Sequence, residues 1–226
     1  MMESLSLVVL VPVLNRPHRV VPLMASFEAS RAPGRLLFLV EGDDRYELES
    51  LCEAEANVLM VPEGITTWPQ KIQYGYENTD ECWMLCCADD VHFHPGWWQA
   101  TEDARSLGRG VIGTNDLGNP RVIAGQHTTH PLVSRRYADE QGTWDGPGHI
   151  VCTEYRHCFV DDELVWTAKQ RQQWAFCGSA VVEHLHPYWG KAEYDEVYEV
   201  GESHFARDHE EFVRRIGLQK AGVKVA

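Results

Sequence analysis

The chain is short of positive charge. Against 34 aspartates and glutamates it carries only 20 lysines and arginines, a formal net charge of -14 at pH 7. Sequence-independent binding to nucleic acid relies on Lys and Arg to neutralise phosphates, so nucleic acid is not a favoured partner. Long apolar runs are missing too. The opening stretch Leu5 to Leu14 is shorter than the roughly 20 residues a membrane span needs, and Pro12 and Asn15 end it. Glu3 stands where a secretory leader would carry basic residues. No membrane anchor is expected, and the expected compartment is the cytoplasm. The seven cysteines (52, 82, 86, 87, 152, 158 and 177) include no Cys-x-x-Cys pair, which removes the usual zinc-site spacing and leaves buried, reduced thiols as their reading. Glycine is absent from Leu14-Asn15-Arg16-Pro17-His18-Arg19, directly after the first apolar run. A glycine-rich loop that cradles a triphosphate would sit there, so a nucleotidyltransferase acting on a sugar phosphate is only the alternative reading.

Apolar residues make up 44% of the 226 residues, enough for a sizeable core. Leu5 to Val13 is a continuous, β-branched run suited to a central parallel strand covered on both faces. Pro17 suits a first helical turn, and Val20 to Glu28 has helical spacing. Strands are expected at Arg35 to Val40, Asn57 to Val61, Cys82 to Cys87 and Gly110 to Thr114, with helices at Tyr46 to Ala56, Thr67 to Tyr76 and Trp97 to Ser106. Such alternation predicts a doubly wound, mostly parallel sheet with helices on both faces. The second half is less regular. Gly118 to Gly148 reads as loops with short strands, Cys158 to Gln172 as a helix, Ala180 to His184 as a strand and Phe205 to Gly217 as a charged helix. No linker divides the chain, so residues 1–226 are expected to form a single domain.

Ligands of open α/β sheets bind at the carboxyl ends of the parallel strands, and here those ends are polar. The first ends in Asn15-Arg16, the second in Glu41-Gly42-Asp43-Asp44 and the fourth in Asp89-Asp90. Adjacent carboxylates repel and call for a cation or strong donors. A hard divalent ion, Mg²⁺ or Mn²⁺, held by one or two carboxylates and substrate phosphates meets that need; a helix cap before Trp97 is the plainer reading. Val182-Glu183-His184-Leu185-His186-Pro187 holds a His-x-His pair. On a strand both rings point to one face, a spacing suited to a metal. His186 is already next to a proline, which favours His184.

The segment Trp83 to Trp97, an apolar strand running into Ala88-Asp89-Asp90 and then Pro95-Gly96-Trp97, resembles the DxD region of family 2-like GT-A glycosyltransferases. Aligned on that turn, Asp90 falls on the principal metal-binding Asp, Asp89 on the middle residue and Ala88 on the first motif Asp. Pro12, Asn15 and Arg16 resemble the family's opening strand and turn, which contact the nucleobase. Glu41, Asp43 and Asp44 resemble its second acidic strand end, and Lys71 sits where the family often has a basic residue facing the donor. The resemblance covers about residues 5 to 115. It implies a GT-A fold with a nucleotide-sugar-binding half there and an acceptor-binding, catalytic half over 116 to 226. It further implies Mn²⁺ or Mg²⁺ as cofactor, a nucleotide-diphosphate sugar as donor, and His184 or His186 as a further ligand. Phe159-Val160-Asp161-Asp162-Glu163-Leu164 resembles the family's general-base segment. Asp161 matches the base and Asp162 lies one residue off, which implies transfer with inversion; helix capping would also explain both carboxylates.

Weaker features remain. Asn115-Asp116 reads as a turn or an acceptor contact, the tryptophans as core before sugar platforms, and Gly142 to Gly148 as an acceptor or lid loop. Arg156 and Lys191 are candidate phosphate contacts. The acceptor is open among a glycan, a protein, a small molecule and a modified nucleobase. A non-catalytic nucleotide- or sugar-binding protein of the same fold is the remaining alternative, favoured by Ala88. The compact size fits a stand-alone bacterial or viral enzyme.

Overall fold

The computed structural model describes residues 6–221; Leu5, read above as the start of the first strand, lies outside them. The chain begins with the expected alternation: β1 (Leu7–Pro12), α1 (Val20–Ser30), β2 (Arg35–Glu41), α2 (Arg45–Glu53), β3 (Val58–Val61), α3 (Trp68–Glu77) and β4 (Trp83–Cys86). It continues with β5 (Val91–Phe93), α4 (Glu102–Ser106), β6 (Val111–Asn115), α5 (Pro120–Ile123), β7 (Pro131–Ser134) and α6 (Arg135–Glu140). The last elements are α7 (Val160–Gln170), β8 (Trp174–His184), α8 (Glu196–Ser203) and α9 (Phe205–Lys220).

All eight strands lie in one sheet, in the order β3-β2-β1-β4-β7-β6-β8-β5. β1, β2, β3 and β4 run parallel to one another, β6 and β8 are parallel, and β7 and β5 run against their neighbours. The period of two along a strand splits the core into two layers. Leu7, Val9, Val11, Trp83, Leu85 and Cys87 face one side with α1 and α2, where Val20, Leu23, Phe27 and Leu51 pack. Val8, Leu10, Met84 and Cys86 face the other with α3, α6 and α7, where Ile72, Tyr137, Val160 and Leu164 pack. The adjacent thiols of Cys86 and Cys87 thus enter opposite layers, as their strand placement predicts.

Several expectations change. The helix expected over Trp97 to Ser106 is a single 3-10 turn at Gln99–Thr101 followed by the short α4. Trp97 and Trp98 are fully packed into the core instead. The last long strand starts at Trp174, well before Ala180, and has a register shift opposite Gly113 to Asn115. The loop Gly142 to Gly148 is tied down rather than free. Asp145 pairs with Arg215 at 2.7 Å, and Gln73 donates to the Gly148 carbonyl.

The backbone before β2 needs glycine. Gly34 has φ +110, and a Cβ there would lie 2.1 Å from the Leu7 carbonyl oxygen. That turn lets β2 return beside β1 and brings their carboxyl ends to one edge.

Candidate active site

A cleft of about 630 Å³ opens along the carboxyl ends of β1 and β4. Its floor holds Pro12, Arg16, Ala88, Asp89 and Asp90; Trp68 and Lys71 come from the start of α3. His130, Asp161, His184 and His186 face them, and α8 closes the far wall through Val197 and Tyr198. Of the three polar strand ends, those of β1 and β4 meet here, joined by side chains from the irregular second half, and that of β2 does not line the cleft.

Asp90 is the centre of this arrangement. It is 4% exposed. Its Oδ2 lies 3.2 Å from His184 Nε2 and accepts a 2.8 Å bond from the Tyr198 hydroxyl, with Arg19 at 3.8 Å. Its Oδ1 is buried and has no hydrogen-bond partner. Burial on its own would raise the carboxyl's proton affinity, but the His184 charge and hydrogen bond, with Tyr198, hold it well below the usual range. His184 moves the other way: its burial is outweighed by Asp90, which raises it. Neighbouring Asp89 is pushed up to about 7 by burial and by the Asp90 charge, against the pull of Arg16.

Asp90 and His184 are the residues here that could hold a divalent cation, whereas the described groups that bring three ligand atoms together are His127 with Asp161 and Asp162, and Asp145 with Cys152 and Glu163. Asp90 offers one unpartnered oxygen, and His184 Nε2 stands beside the other. A mixed oxygen and nitrogen set suits Mn²⁺ better than Mg²⁺, which prefers oxygen alone. His186 is turned partly away. Its Nδ1 accepts from the Tyr188 amide and caps a 3-10 turn, although its ring lies 4.9 Å from that of His184. Burial and His184 lower its affinity for a proton to about 4.

The sequence matches no family model and no curated protein. Solved structures do match. Glucosyl-3-phosphoglycerate synthase from Mycobacterium tuberculosis, in complex with Mn²⁺, UDP-glucose and phosphoglyceric acid, is similar over 98% of this chain and 81% of that one, with a TM-score of 0.63 at 12% identity. The same enzyme with Mn²⁺, UDP and glucosyl-3-phosphoglycerate gives equal figures, and with Mg²⁺ and UDP the TM-score is 0.58 at 12% identity. The chain has a GT-A fold.

Within the GT-A sheet the predicted residues divide. Pro12, Arg16, Lys71, Asp89, Asp90, Asp161, His184 and His186 line the cleft. Asn15, Glu41, Asp43, Asp44 and Asp162 do not. Asp44 caps α2 and accepts from the Asn15 amide at 2.8 Å, which holds Asn15 at φ 52. Glu47 does the same for the Arg16 amide at 2.8 Å. These carboxylates therefore shape the turn that aims Arg16. Asp43 is exposed. Glu41 pairs with Lys71 at 2.8 Å, and Lys71 also donates to the Val13 carbonyl, so its ammonium braces β1 from beneath the cleft.

On the opposite wall, Asp161 stands 3.0 Å from His127 Nε2 and is held below the usual carboxylate range; burial opposes the shift and His127 outweighs it. Asp162 is engaged by Arg121 at 2.6 Å. Asp116 serves a turn, accepting from Gly118, Asn119 and Thr129. Arg156 lines the cleft, whereas Lys191 is paired with Glu183 at 2.7 Å outside it.

Sequence reasoning missed His127, His130, Asp195 and Tyr198. Arg16 donates to both Asp195 oxygens, at 2.9 and 2.6 Å, and its guanidinium lies 4.0 Å from the Tyr198 ring centre. Asp195-Glu196 had the signature of an N-cap followed by an acidic first turn, which would have placed α8. The two histidines carried no local pattern.

Proposed function

We propose that this chain transfers a sugar from a nucleotide-diphosphate sugar to an acceptor hydroxyl in a metal-dependent reaction. The observation that carries the reading is Asp90: a buried carboxylate with one free oxygen and His184 at the other, at the end of β4 in a GT-A cleft. Complexes of a similarly folded synthase with Mn²⁺ or Mg²⁺, UDP and UDP-glucose agree with it. Asp90 and His184 would hold the ion, and His186, which lines the same cleft, is the further candidate ligand. A divalent ion held there would supply charge neutralisation of the diphosphate and Lewis-acid assistance to its departure.

The chain's own residues do the rest. Arg16, released from Asp195, meets the diphosphate with a two-pronged guanidinium. Asp89 keeps Arg16 in place. Pro12 and the Asn15 turn border the nucleoside, in a donor half over about residues 5–115. Residues 116–226 form the acceptor half. There Asp161 takes the proton from the attacking hydroxyl, and His127 orients its carboxylate and balances the charge. Asp162 keeps Arg121 and α7 in position. Direct attack from the Asp161 side inverts the anomeric carbon.

The test is product analysis with a nucleotide sugar and Mn²⁺. The reading predicts release of a nucleoside diphosphate, abolished by excess chelator and restored by Mn²⁺. Release of pyrophosphate from a nucleoside triphosphate and a sugar phosphate would transfer the assignment to a nucleotidyltransferase. Undiminished sugar transfer in chelator would remove the metal.

A further inference from the structure

His130 is the most conspicuous side chain that this account leaves without work. It immediately precedes β7, and its main chain is fixed by the Thr114 hydroxyl, which donates 2.7 Å to the His130 carbonyl. Thr114 in turn packs against Thr128, whose hydroxyl receives the Thr114 amide at 3.1 Å. The imidazole is only 3% exposed and lines the cleft. Neither ring nitrogen has a hydrogen-bond partner. Natural interiors rarely leave a polar side chain so placed, and an apolar residue of similar size would fill the position at less cost.

The groups around the ring are already engaged. His184 stacks edge-on at 5.0 Å between ring centres, with its Nε2 turned to Asp90. Asp90 accepts from Tyr198. Asp116 accepts from two amides and Thr129, and Asp161 is bound to His127. His130 lines the same cleft as Asp90 at the proposed metal end and Asp161 at the proposed base, and it lies against His184. Ala88, on the same lining, offers only a methyl group.

We propose that His130 binds a hydroxyl of the transferred sugar, one ring nitrogen donating and the other free to accept. This rests on the donor reading above: with the diphosphate at Asp90 and the acceptor at Asp161, the part of the substrate that lies between them is the sugar. A sugar hydroxyl both donates and accepts, which is what a neutral imidazole with two open nitrogens requires.

Calorimetry on wild type, His130→Phe and His130→Gln tests it. The probes are UDP, UDP-glucose, GDP and GDP-mannose, each with Mn²⁺. For the nucleotide that wild type binds, His130→Phe should keep the diphosphate affinity within about twofold and weaken the sugar conjugate by about tenfold, the loss of one good hydrogen bond. His130→Gln, which retains a donor and an acceptor, should recover part of that loss. The melting temperature of His130→Phe should equal or exceed that of wild type, because the imidazole has no partner to lose. Equal weakening of diphosphate and conjugate would overturn the proposal by assigning His130 to the metal end. Unchanged conjugate affinity, or a phenylalanine variant several degrees less stable, would overturn it too. Failure of wild type to bind any of the four probes would instead sink the donor reading.

Discussion

Asp89 and Asp90 are adjacent in sequence and opposite in proton affinity. Both are buried, but Asp90 faces His184 and Tyr198, while for Asp89 burial and the repulsion of Asp90 outweigh Arg16 and Arg19. The pairing of two acids after an apolar strand was legible, and so was the His-x-His pair whose His184 lies 3.2 Å from Asp90. The partners that set their charges were not, because Arg16 lies 73 positions from Asp89, and His184 and Tyr198 lie 94 and 108 from Asp90. Asp161 was also readable, from its helix start; its His127 partner was not. We expect Asp161→Asn to lower kcat by about 10²–10⁴, the usual contribution of a positioned base, with donor affinity unchanged in calorimetry. Asp162→Asn should have a much smaller effect, since that carboxylate holds Arg121 outside the cleft. Glu47 provides a pH prediction. Burial raises its carboxyl above the ordinary 4.5, so its charged form costs stability at neutral pH and the cost fades as pH falls through the raised value. Glu47→Gln keeps an acceptor for the Arg16 amide. In denaturant titrations it should be more stable than wild type at pH 8, with the difference gone below 4.5.

At the scale of elements, the first four strands and three helices were read within a few residues because each follows a strong rule. The strands are continuous apolar runs, rich in valine in β1, and Thr67 caps α3 with Gln70 in a reciprocal box. The elements missed are short or polar. β7 is four residues and begins at a proline, and β5 is three; neither length carries a period. α8 matters most among them. Asp195 caps its first turn and also clamps Arg16, and Tyr198 reaches Asp90. Those contacts occupy the groups assigned to the donor, so α8 must yield when the donor binds. Tyr198→Phe removes a hydrogen bond to a buried carboxylate and should cost on the order of 1.5 kcal/mol in the ligand-free protein. With Mn²⁺ and the nucleotide present, melting curves of wild type and variant should draw together. A constant gap would mean that Tyr198 stays on Asp90 throughout.

At the scale of the molecule, the mostly parallel sheet and its two-layer core follow from the sequence pattern, while the strand order came from the structure and the second half is held by polar contacts that no periodicity shows. Arg215 on α9 is fully buried; it donates to both Glu163 oxygens at 2.6 and 2.8 Å and to Asp145. It thereby joins α9, α7 and the Gly142 to Gly148 loop, the segment that reads from sequence as an acceptor or lid loop. Arg215→Ala would strand the Glu163 charge in the interior and should cost about 3–5 kcal/mol by denaturant unfolding. No described helix is long and apolar enough to cross a membrane.

The central claim is that Asp90 holds a metal that holds a nucleotide diphosphate. A thermal-shift comparison of wild type and Asp90→Ala, with nucleoside diphosphates in the presence and absence of Mn²⁺, tests it most directly, because a ligand of the folded state raises the melting temperature by mass action. At least one diphosphate should stabilise wild type only when Mn²⁺ is present, and Asp90→Ala should lose this response while remaining folded. Stabilisation that is the same without Mn²⁺, or that survives in Asp90→Ala, would contradict it.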